Sequence, residues 1–336
     1  MRAVVTVAHG GRDQLVYRTD YPDPTPGPTD VLVAVAATAL NYHDIFTRRG
    51  MPGIRIPLPI VVGSDIAGTV ASIGSQVTRW SPGDRVVIDP VYRGGNRFGM
   101  IGEVADGGRA EFVSVPETQL IRVPDAVSLE DAASLPLAYA TAHRMLVTRG
   151  RVQAGERVLV LGASGGVGVA CVQLAKLLGA EVVACASSAA KIARLEALGA
   201  DHCINYQETR FVDGVRARYG KPRITGEGGV DVAVNFTGGD TWIETQKCVR
   251  VGGRILTCGA TAGFDLRTDA RYLWTFEHEM IGSNGWTPDD IVRLMAMIAE
   301  GQLAPVIDTR LPLDQAAEGE RLLEDREVVG KVLIIP

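Results

Sequence analysis

The sequence predicts an α/β chain of two domains, and three observations carry that expectation. At 336 residues the chain is about twice the length usual for one domain. Its first third is a succession of short apolar runs broken by proline and glycine, which is strand texture. From about residue 128, strand-like and helix-like segments alternate, and one strand enters a helix through a glycine-rich turn. Such alternation builds a parallel sheet covered on both faces.

Taken in order, Ala3–Val7, Val31–Ala39, Ile66–Ile73, Val86–Ile88 and Glu111–Val115 read as strands, with one short helix over Asn41–Arg49. Ser128-Leu-Glu-Asp131 is a capping box ahead of an apolar run. Arg157–Leu161, Glu181–Ala186, Val230–Asn235 and Gly253–Cys258 read as buried strands; Gly166–Leu178, Ala189–Leu198 and Thr241–Val249 are the helices between them. Beyond Gly259 the pattern gives a strand at Glu279–Ser283, helices at Pro288–Glu300 and Ala316–Asp325, and a final strand at Val328–Ile335. The N-terminal β region has no closure of its own, so the C-terminal segment is expected to return and complete it.

Composition excludes several classes. Apolar residues make up 46% and charged residues 22%, too rich a core for a disordered chain. The formal net charge is −5, with no Lys/Arg block, so the electrostatic footprint of a nucleic-acid binder is absent. The opening Met1–Gln14 lacks the apolar core of a signal peptide. The apolar stretch Val158–Ala175 is broken by Gly162-Ala-Ser-Gly-Gly166 and reads as strand, turn and helix rather than a membrane span. A cytoplasmic protein with no membrane partner is expected. The five cysteines, Cys171, Cys185, Cys203, Cys248 and Cys258, form no CxxC pair and read as small buried hydrophobes rather than a disulfide framework.

The sharpest signal is Val158-Leu-Val-Leu-Gly-Ala-Ser-Gly-Gly-Val-Gly168. Ala163, Ser164, Gly165, Gly166, Val167 and Gly168 form an A-x-G-x-x-G turn between strand and helix. Small residues there let the backbone approach a pyrophosphate, and the helix N-terminus offers N–H groups to the anion. The competing reading is an ordinary βα turn. An NAD site wants an acid about 20 residues after the glycines. None lies between Val182 and Leu195; Ser187, Ser188 and Lys191 stand there, with Arg194 one turn on. Hydroxyls and a cation suit a 2′-phosphate, so NADPH is expected; the alternative is that the two cations are a solvated helix face.

Over nearly its whole length the chain resembles the medium-chain dehydrogenase/reductase superfamily. The resemblance rests on Leu40-Asn-Tyr-His-Asp44, Val62-Gly-Ser-Asp65, Trp80-Ser-Pro-Gly-Asp-Arg-Val86, Gly107-Gly-Arg-Ala-Glu-Phe112, Ala154-Gly-Glu-Arg-Val158 and the glycine turn. It continues through Leu198-Gly-Ala-Asp201, Ile204-Asn-Tyr206, Gly252-Gly-Arg254 and Gly330-Lys-Val332. It implies a GroES-like β domain over 1–125 and 271–336 around a Rossmann domain, a doubly wound parallel sheet, over 126–270. It also implies a nicotinamide cofactor in an interdomain cleft and a homodimer or homotetramer. Zinc-dependent members carry Cys-x-x-Asp and Gly-His-Glu; here Asn41 stands at the cysteine position, Ser64 at the histidine and Leu137 at the third ligand. Zinc needs thiolate, imidazole or carboxylate. The segment Val91–Gly102, matching the structural-zinc lobe, has no cysteine. The chain therefore resembles the zinc-independent quinone oxidoreductase and enoyl reductase branch, although Gly99-Met-Ile-Gly102, Ala133–Met145 and Cys258-Gly-Ala-Thr261 look closer to zinc-bearing relatives. Arg49-Gly-Met-Pro-Gly53 lacks the tyrosine common in enoyl-thioester reductases.

Hydride transfer is the cofactor's chemistry, and the protein positions and polarises. Without a Lewis acid an alcohol has no strong route to alkoxide, whereas a conjugated alkene needs only a donor at its carbonyl oxygen and a proton source. Asn41, His43 and Asp44 are the catalytic candidates: an amide donor, a group whose ordinary pKa near 6.5 suits proton transfer, and a neighbouring carboxylate. The competing readings are a structural, hydrogen-bonded His43 and a helix-turn role for Asp44. By resemblance, Thr141, Tyr206, the Gly259-Ala260-Thr261 stretch and Lys331 join the cofactor-binding set. The function expected is NADPH-dependent, zinc-independent reduction of quinones or α,β-unsaturated carbonyl compounds. Alternatives are a metal-free alcohol or aldehyde oxidoreductase and a non-catalytic NADPH-binding protein. Loops Arg49–Leu58 and Tyr92–Val104 are expected to shape the substrate pocket.

Overall fold

Alternation of buried and half-buried positions along Asp30–Ala39 makes that segment the central strand of the first unit. In chain order the elements are β1 (Ala3–Thr6), β2 (Leu15–Arg18), β3 (Asp30–Ala39), α1 (Tyr42–Arg49), β4 (Ile60–Val61), β5 (Asp65–Ile73), β6 (Arg85–Ile88), β7 (Val91–Tyr92), β8 (Gly99–Met100), β9 (Phe112–Pro116), β10 (Leu120–Arg122) and α2 (Leu129–Ala133). There follow α3 (Ala140–His143), β11 (Arg157–Val160), α4 (Gly166–Leu177), β12 (Glu181–Ala186), α5 (Ala189–Ala197), β13 (His202–Asn205), α6 (Phe211–Tyr219), β14 (Val230–Val234), α7 (Thr241–Gln246), β15 (Val249–Thr257), α8 (Ala270–Thr275) and β16 (Glu279–Gly282). The chain closes with α9 (Pro288–Ala299), β17 (Ile307–Pro312), α10 (Ala316–Glu324) and β18 (Lys331–Ile335). This computed structural model describes residues 1–51, 53–93 and 98–336. The expected pocket loops include Pro52 and 94–97, which lie outside the described residues.

The first unit comprises Met1–Ala138 and Pro288–Pro336. Its seven-stranded sheet runs β10-β6-β5-β3-β18-β17, with β9 also on β3. The C-terminal strand returns as expected: β18 pairs antiparallel with β3 through Leu333↔Ala39 and Ile334↔Thr38. Val31, Val33, Ile66, Val86, Ile88 and Val113 are among the side chains that close its core. Ser128 Oγ accepts the Asp131 N–H at 3.0 Å, the cap that the sequence predicts for α2.

The second unit, Tyr139–Thr287, is built on a six-stranded sheet in the order β13-β12-β11-β14-β15-β16. Every pairing in it is parallel. Strands buried on both faces read as continuous apolar runs, which is how Arg157–Leu161 and Glu181–Ala186 announce themselves. Order reverses between β11 and β14, the point at which open α/β sheets bind ligands beyond the carboxyl ends of their strands. Cys171, Cys185 and Cys248 are buried and unbridged, as expected of small hydrophobes.

The units divide after Ala138 and Thr287, further along than the boundaries after 125 and 270 that the resemblance implies. Contacts explain both differences: α2 packs on β3 and β5, and β16 pairs with β15 as the last strand of the parallel sheet. Strand β15 also begins at Val249 rather than Gly253, taking in the end of the segment read as a helix over Thr241–Val249. The final strand begins at Lys331 because Gly330 adopts φ +98°. Strands β13 and β17 and helix α6 carried no signal strong enough to be read.

Helix α1 is held by a buried chain of charge. Arg48 Nε donates to Glu320 Oε2 at 2.6 Å, and Arg109 Nη1 donates to Glu320 Oε1 at 2.5 Å. Arg109 Nη2 reaches Asp44 Oδ2 at 3.2 Å, and Arg48 Nη2 reaches Glu324 Oε1 at 2.6 Å. Arg48, Arg109, Asp44 and Glu320 are each at most 2% exposed. Removing one member of a buried pair strands its partners, at about 3–5 kcal/mol. Glu320→Gln is therefore expected to lower the unfolding free energy by about that amount in urea titration; an unchanged midpoint would show that the network is energetically idle.

Candidate functional site

In the second unit, β11 runs into Leu161-Gly162-Ala163-Ser164-Gly165 and leaves as α4. Gly162 takes φ +66°, and Gly165 N–H donates back to Gly162 O at 3.1 Å. A Cβ at Gly168 would lie 2.3 Å from Gly162 O, so glycine alone lets the helix seat on the turn. At Gly165 a Cβ would meet nothing nearer than 3.6 Å, and no side chain caps α4. The first N–H groups of this 12-residue helix thus face an open cradle, the arrangement that accepts a pyrophosphate. The turn fits a dinucleotide cofactor.

Several of the other expected cofactor residues follow the carboxyl ends of strands in the same sheet. Ser187 follows β12; Ser188 caps α5, its Oγ accepting the Lys191 N–H at 3.4 Å. Tyr206 follows β13 with its N–H on Ala186 O at 3.0 Å and its ring 39% exposed. The Gly259-Ala260-Thr261 loop follows β15 and is tied to the end of β14 by Thr261 N–H to Phe236 O at 3.2 Å. Thr141 lies on α3, which packs against α4.

In the first unit, the residues that replace zinc ligands converge. Asn41 Nδ2 lies 3.5 Å from Ser64 Oγ, and Asp65 Oδ1 accepts the Leu137 N–H at 3.0 Å. A carboxamide, a hydroxyl and an isobutyl group are not a zinc donor set. Among the described residues, no group of three or more His, Cys, Asp or Glu could hold a metal ion.

Two of the expected site residues are engaged within the first unit. Asp44 is spent on structure: its Oδ2 accepts the Asn41 N–H at 3.0 Å, closing the first turn of α1, and also receives Arg109. Lys331, placed by resemblance at the cofactor, is only 2% exposed and donates to Leu40 O at 3.0 Å, Asn41 Oδ1 at 2.5 Å and Asp65 Oδ2 at 3.3 Å. An ammonium has three donors, and all three are used within its own unit.

One residue that sequence reading missed is central. Glu103 Oε1 lies 2.6 Å from His43 Nε2, and its Oε2 accepts the Met100 N–H at 3.1 Å. The His43 side chain keeps 28% of its surface exposed while Glu103 keeps 8%. Burial disfavours charge on His43, but the hydrogen bond and charge of Glu103, with Asp44 and Asp65 behind, outweigh it and raise the pKa. Glu103 is shifted oppositely: burial pulls it up, and His43 and the Met100 N–H hold it below the usual carboxylate range. Each partner favours the charged form of the other. Asp65 differs, because burial lifts its pKa in spite of Lys331 and Asn41.

Comparison with known proteins gives the setting of this geometry. Residues 27–125 match the alcohol dehydrogenase GroES-like domain family, and residues 166–300 match the zinc-binding dehydrogenase family. The chain is 30% identical to an acryloyl-coenzyme A reductase of Sulfurisphaera tokodaii, covering 94% of this chain and 95% of that protein. It is 29% identical to a quinone oxidoreductase of Mus musculus, covering 100% and 98%. A crystal structure of an NAD-dependent alcohol dehydrogenase superposes with TM-score 0.91 at 38% identity over the whole of both chains.

A histidine with a raised folded-state pKa contributes stability that is full below its unfolded pKa and is lost as pH rises through the folded one. In Glu103→Gln the raising partner is gone, so the midpoint of the His43 imidazole titration, followed by NMR, is expected to move to lower pH. An unmoved midpoint would remove the ion pair from the account.

Proposed function

The chain belongs to the medium-chain dehydrogenase/reductase superfamily, and we propose that this oxidoreductase is an NADPH-dependent, zinc-independent reductase of quinones or α,β-unsaturated carbonyl compounds. The observation that carries the reading is the donor set at the zinc-ligand positions. An amide and a hydroxyl stand 3.5 Å apart, and a partly exposed histidine paired with a buried glutamate lies two residues along from Asn41. Such groups stabilise a developing enolate by hydrogen bonding; they give an alcohol no route to alkoxide near neutral pH. The names of the acryloyl-coenzyme A reductase and the quinone oxidoreductase among its relatives support the same class.

NADPH, when bound, supplies the hydride that adds to the β-carbon. Negative charge then gathers on the carbonyl oxygen, where the Asn41 amide is placed to donate. Protonated His43 holds the proton that the α-carbon needs, and Glu103 keeps it charged. Losing one donor to a developing oxyanion lowers the rate by about 10²–10³. The uncharged serines that follow β12, with Lys191, support NADPH over NADH. The proposal extends, on resemblance alone, to a cytoplasmic homodimer or homotetramer; among the described residues no helix is long and apolar enough to cross a membrane.

The alcohol dehydrogenase at 38% identity favours a second reading, alcohol or aldehyde oxidoreduction. The decisive assay follows NADPH absorbance, consumed with enones, quinones and aldehydes or formed from NADP+ with alcohols, on protein shown by elemental analysis to hold well under one zinc per chain. Enone or quinone reduction is expected, with kcat lowered about 10²–10³-fold in Asn41→Ala and NADPH affinity nearly unchanged. Alcohol oxidation with no enone or quinone activity would overturn the assignment, and cofactor binding without any turnover would make the chain a binding protein.

A charge-assisted hydrogen bond contributes about 1.5–3 kcal/mol, so NADPH should bind roughly tenfold or more tightly than NADH. Isothermal titration tests this: equal dissociation constants, or an unchanged NADPH affinity in Lys191→Ala, would reject the preference.

A further inference from the structure

We propose that Lys331 is a positioning residue whose buried ammonium orients and polarises the Asn41 carboxamide, a cation supplied by the chain itself behind the donor that meets the substrate oxygen. The inference rests on the function proposed above for Asn41 and adds the group that makes the amide an effective donor.

The direction of the hydrogen bonds carries the argument. An ammonium donates and never accepts, so the atom of Asn41 that lies 2.5 Å from Lys331 Nζ is the carbonyl oxygen Oδ1. The amide flip is thereby fixed, and Nδ2 is turned to the other side of the group. Its hydrogen bonds there are long, 3.3 Å to Ala39 O and 3.5 Å to Ser64 Oγ, and the Asn41 amide also helps to stabilise the Asp65 carboxylate. Bonds that long are weak, so the Nδ2 hydrogens are held in direction, and a substrate oxygen competes with Ala39 O and Ser64 Oγ for them. Amide conjugation does the rest. Drawing electron density onto Oδ1 leaves the Nδ2–H groups more positive, and hydrogen bonds in series strengthen one another in this way.

The surroundings keep the ammonium where it is. Leu40 O and Asp65 Oδ2 take its other two donors, and Asp65 is itself anchored by the Leu137 N–H. Lys331 comes from β18, which pairs with the end of β3 through Leu333↔Ala39. The register that completes the sheet therefore also delivers the charge to the start of α1. A donor aligned in advance favours an enolate oxygen over a neutral carbonyl oxygen, which is the condition for raising kcat rather than tightening substrate binding.

The test uses the full chain with Lys331→Met and, because that change strands the Asp65 carboxylate, the double variant Lys331→Met/Asp65→Asn. Turnover of cyclohex-2-enone and 1,4-benzoquinone with NADPH is expected to fall on the order of tenfold to a hundredfold in kcat, with KM and NADPH affinity nearly unchanged. Independently of activity, the Asn41 side-chain amide resonance in asparagine-labelled protein, assigned through Asn41→Asp, is expected to shift in both variants. A folded double variant with wild-type kcat overturns the proposal, as does an unmoved Asn41 resonance. A resonance that moves in protein inactive on every enone and quinone establishes the contact and removes the proposed function instead.

Discussion

The position of α1 depends on two arginines that have no water. Arg48 and Arg109 lie at 1% and 0% exposure, and each is neutralised by carboxylates from distant parts of the chain. Glu320 bridges both, from α10, while Asp44 and Glu324 close the ends. An eight-residue helix is marginal on its own. Here its C-terminal turn is fixed through Arg48, and its first turn through Asp44, which also caps the Asn41 N–H. Asn41 and His43, the proposed catalytic residues, are therefore placed by a salt-bridge chain of other side chains. Isolated buried ions are costly; a closed alternation of charges with every oxygen of Glu320 occupied is the form in which such burial is tolerable.

The same logic of paired charge runs through the candidate site. Relatives with zinc concentrate two positive charges at one atom. On the proposed reading this chain distributes positive charge over side chains, an ammonium behind Asn41 and an imidazole whose pKa Glu103 raises. A distributed set suits a reaction in which charge develops on an oxygen and a proton is delivered to a neighbouring carbon, because donor and acid are separate groups. It does not suit forming an alkoxide, where one strong centre must lower the pKa of a bound hydroxyl.

Much of this was legible in the sequence, and the rest was not for identifiable reasons. The parallel sheet, the glycine turn and the α2 cap are local patterns, and each appears where its residues place it. The resemblance located Asn41, Ser64 and Leu137, and the structure brings Asn41 and Ser64 together. Glu103 could not be read, because its meaning lies in a contact 60 residues away, and a lone glutamate after a glycine carries no pattern. Lys331 was recognised, but nothing near Gly330 announces Leu40, Asn41 or Asp65 as its hydrogen-bond partners. Asp44 was misjudged for the opposite reason: its local capping role was visible, but the buried Arg109 that commits its second interaction was not. The parallel sheet runs past 270 because β16 joins it through pairing with β15, a contact that no local pattern announces.

The pairing of β18 with β3 has a consequence for assembly. Asn41 and Lys331 are separated by 290 positions, and the whole second unit lies between them. The second unit is continuous in sequence, with contacts of its own, whereas the first is assembled from two pieces. Closing a loop of that length is entropically unfavourable while the intervening chain is flexible, and non-local strand pairings of this kind are slow to form. Prior folding of the inserted unit replaces much of that flexible loop with a fixed span. On this argument the glycine turn, which lies wholly within the inserted unit, forms independently of the amide–ammonium contact, which waits for both pieces of the first unit. A lesion that slows the pairing of β18 with β3 would then surface as chains with a formed glycine turn but without the Asn41–Lys331 contact.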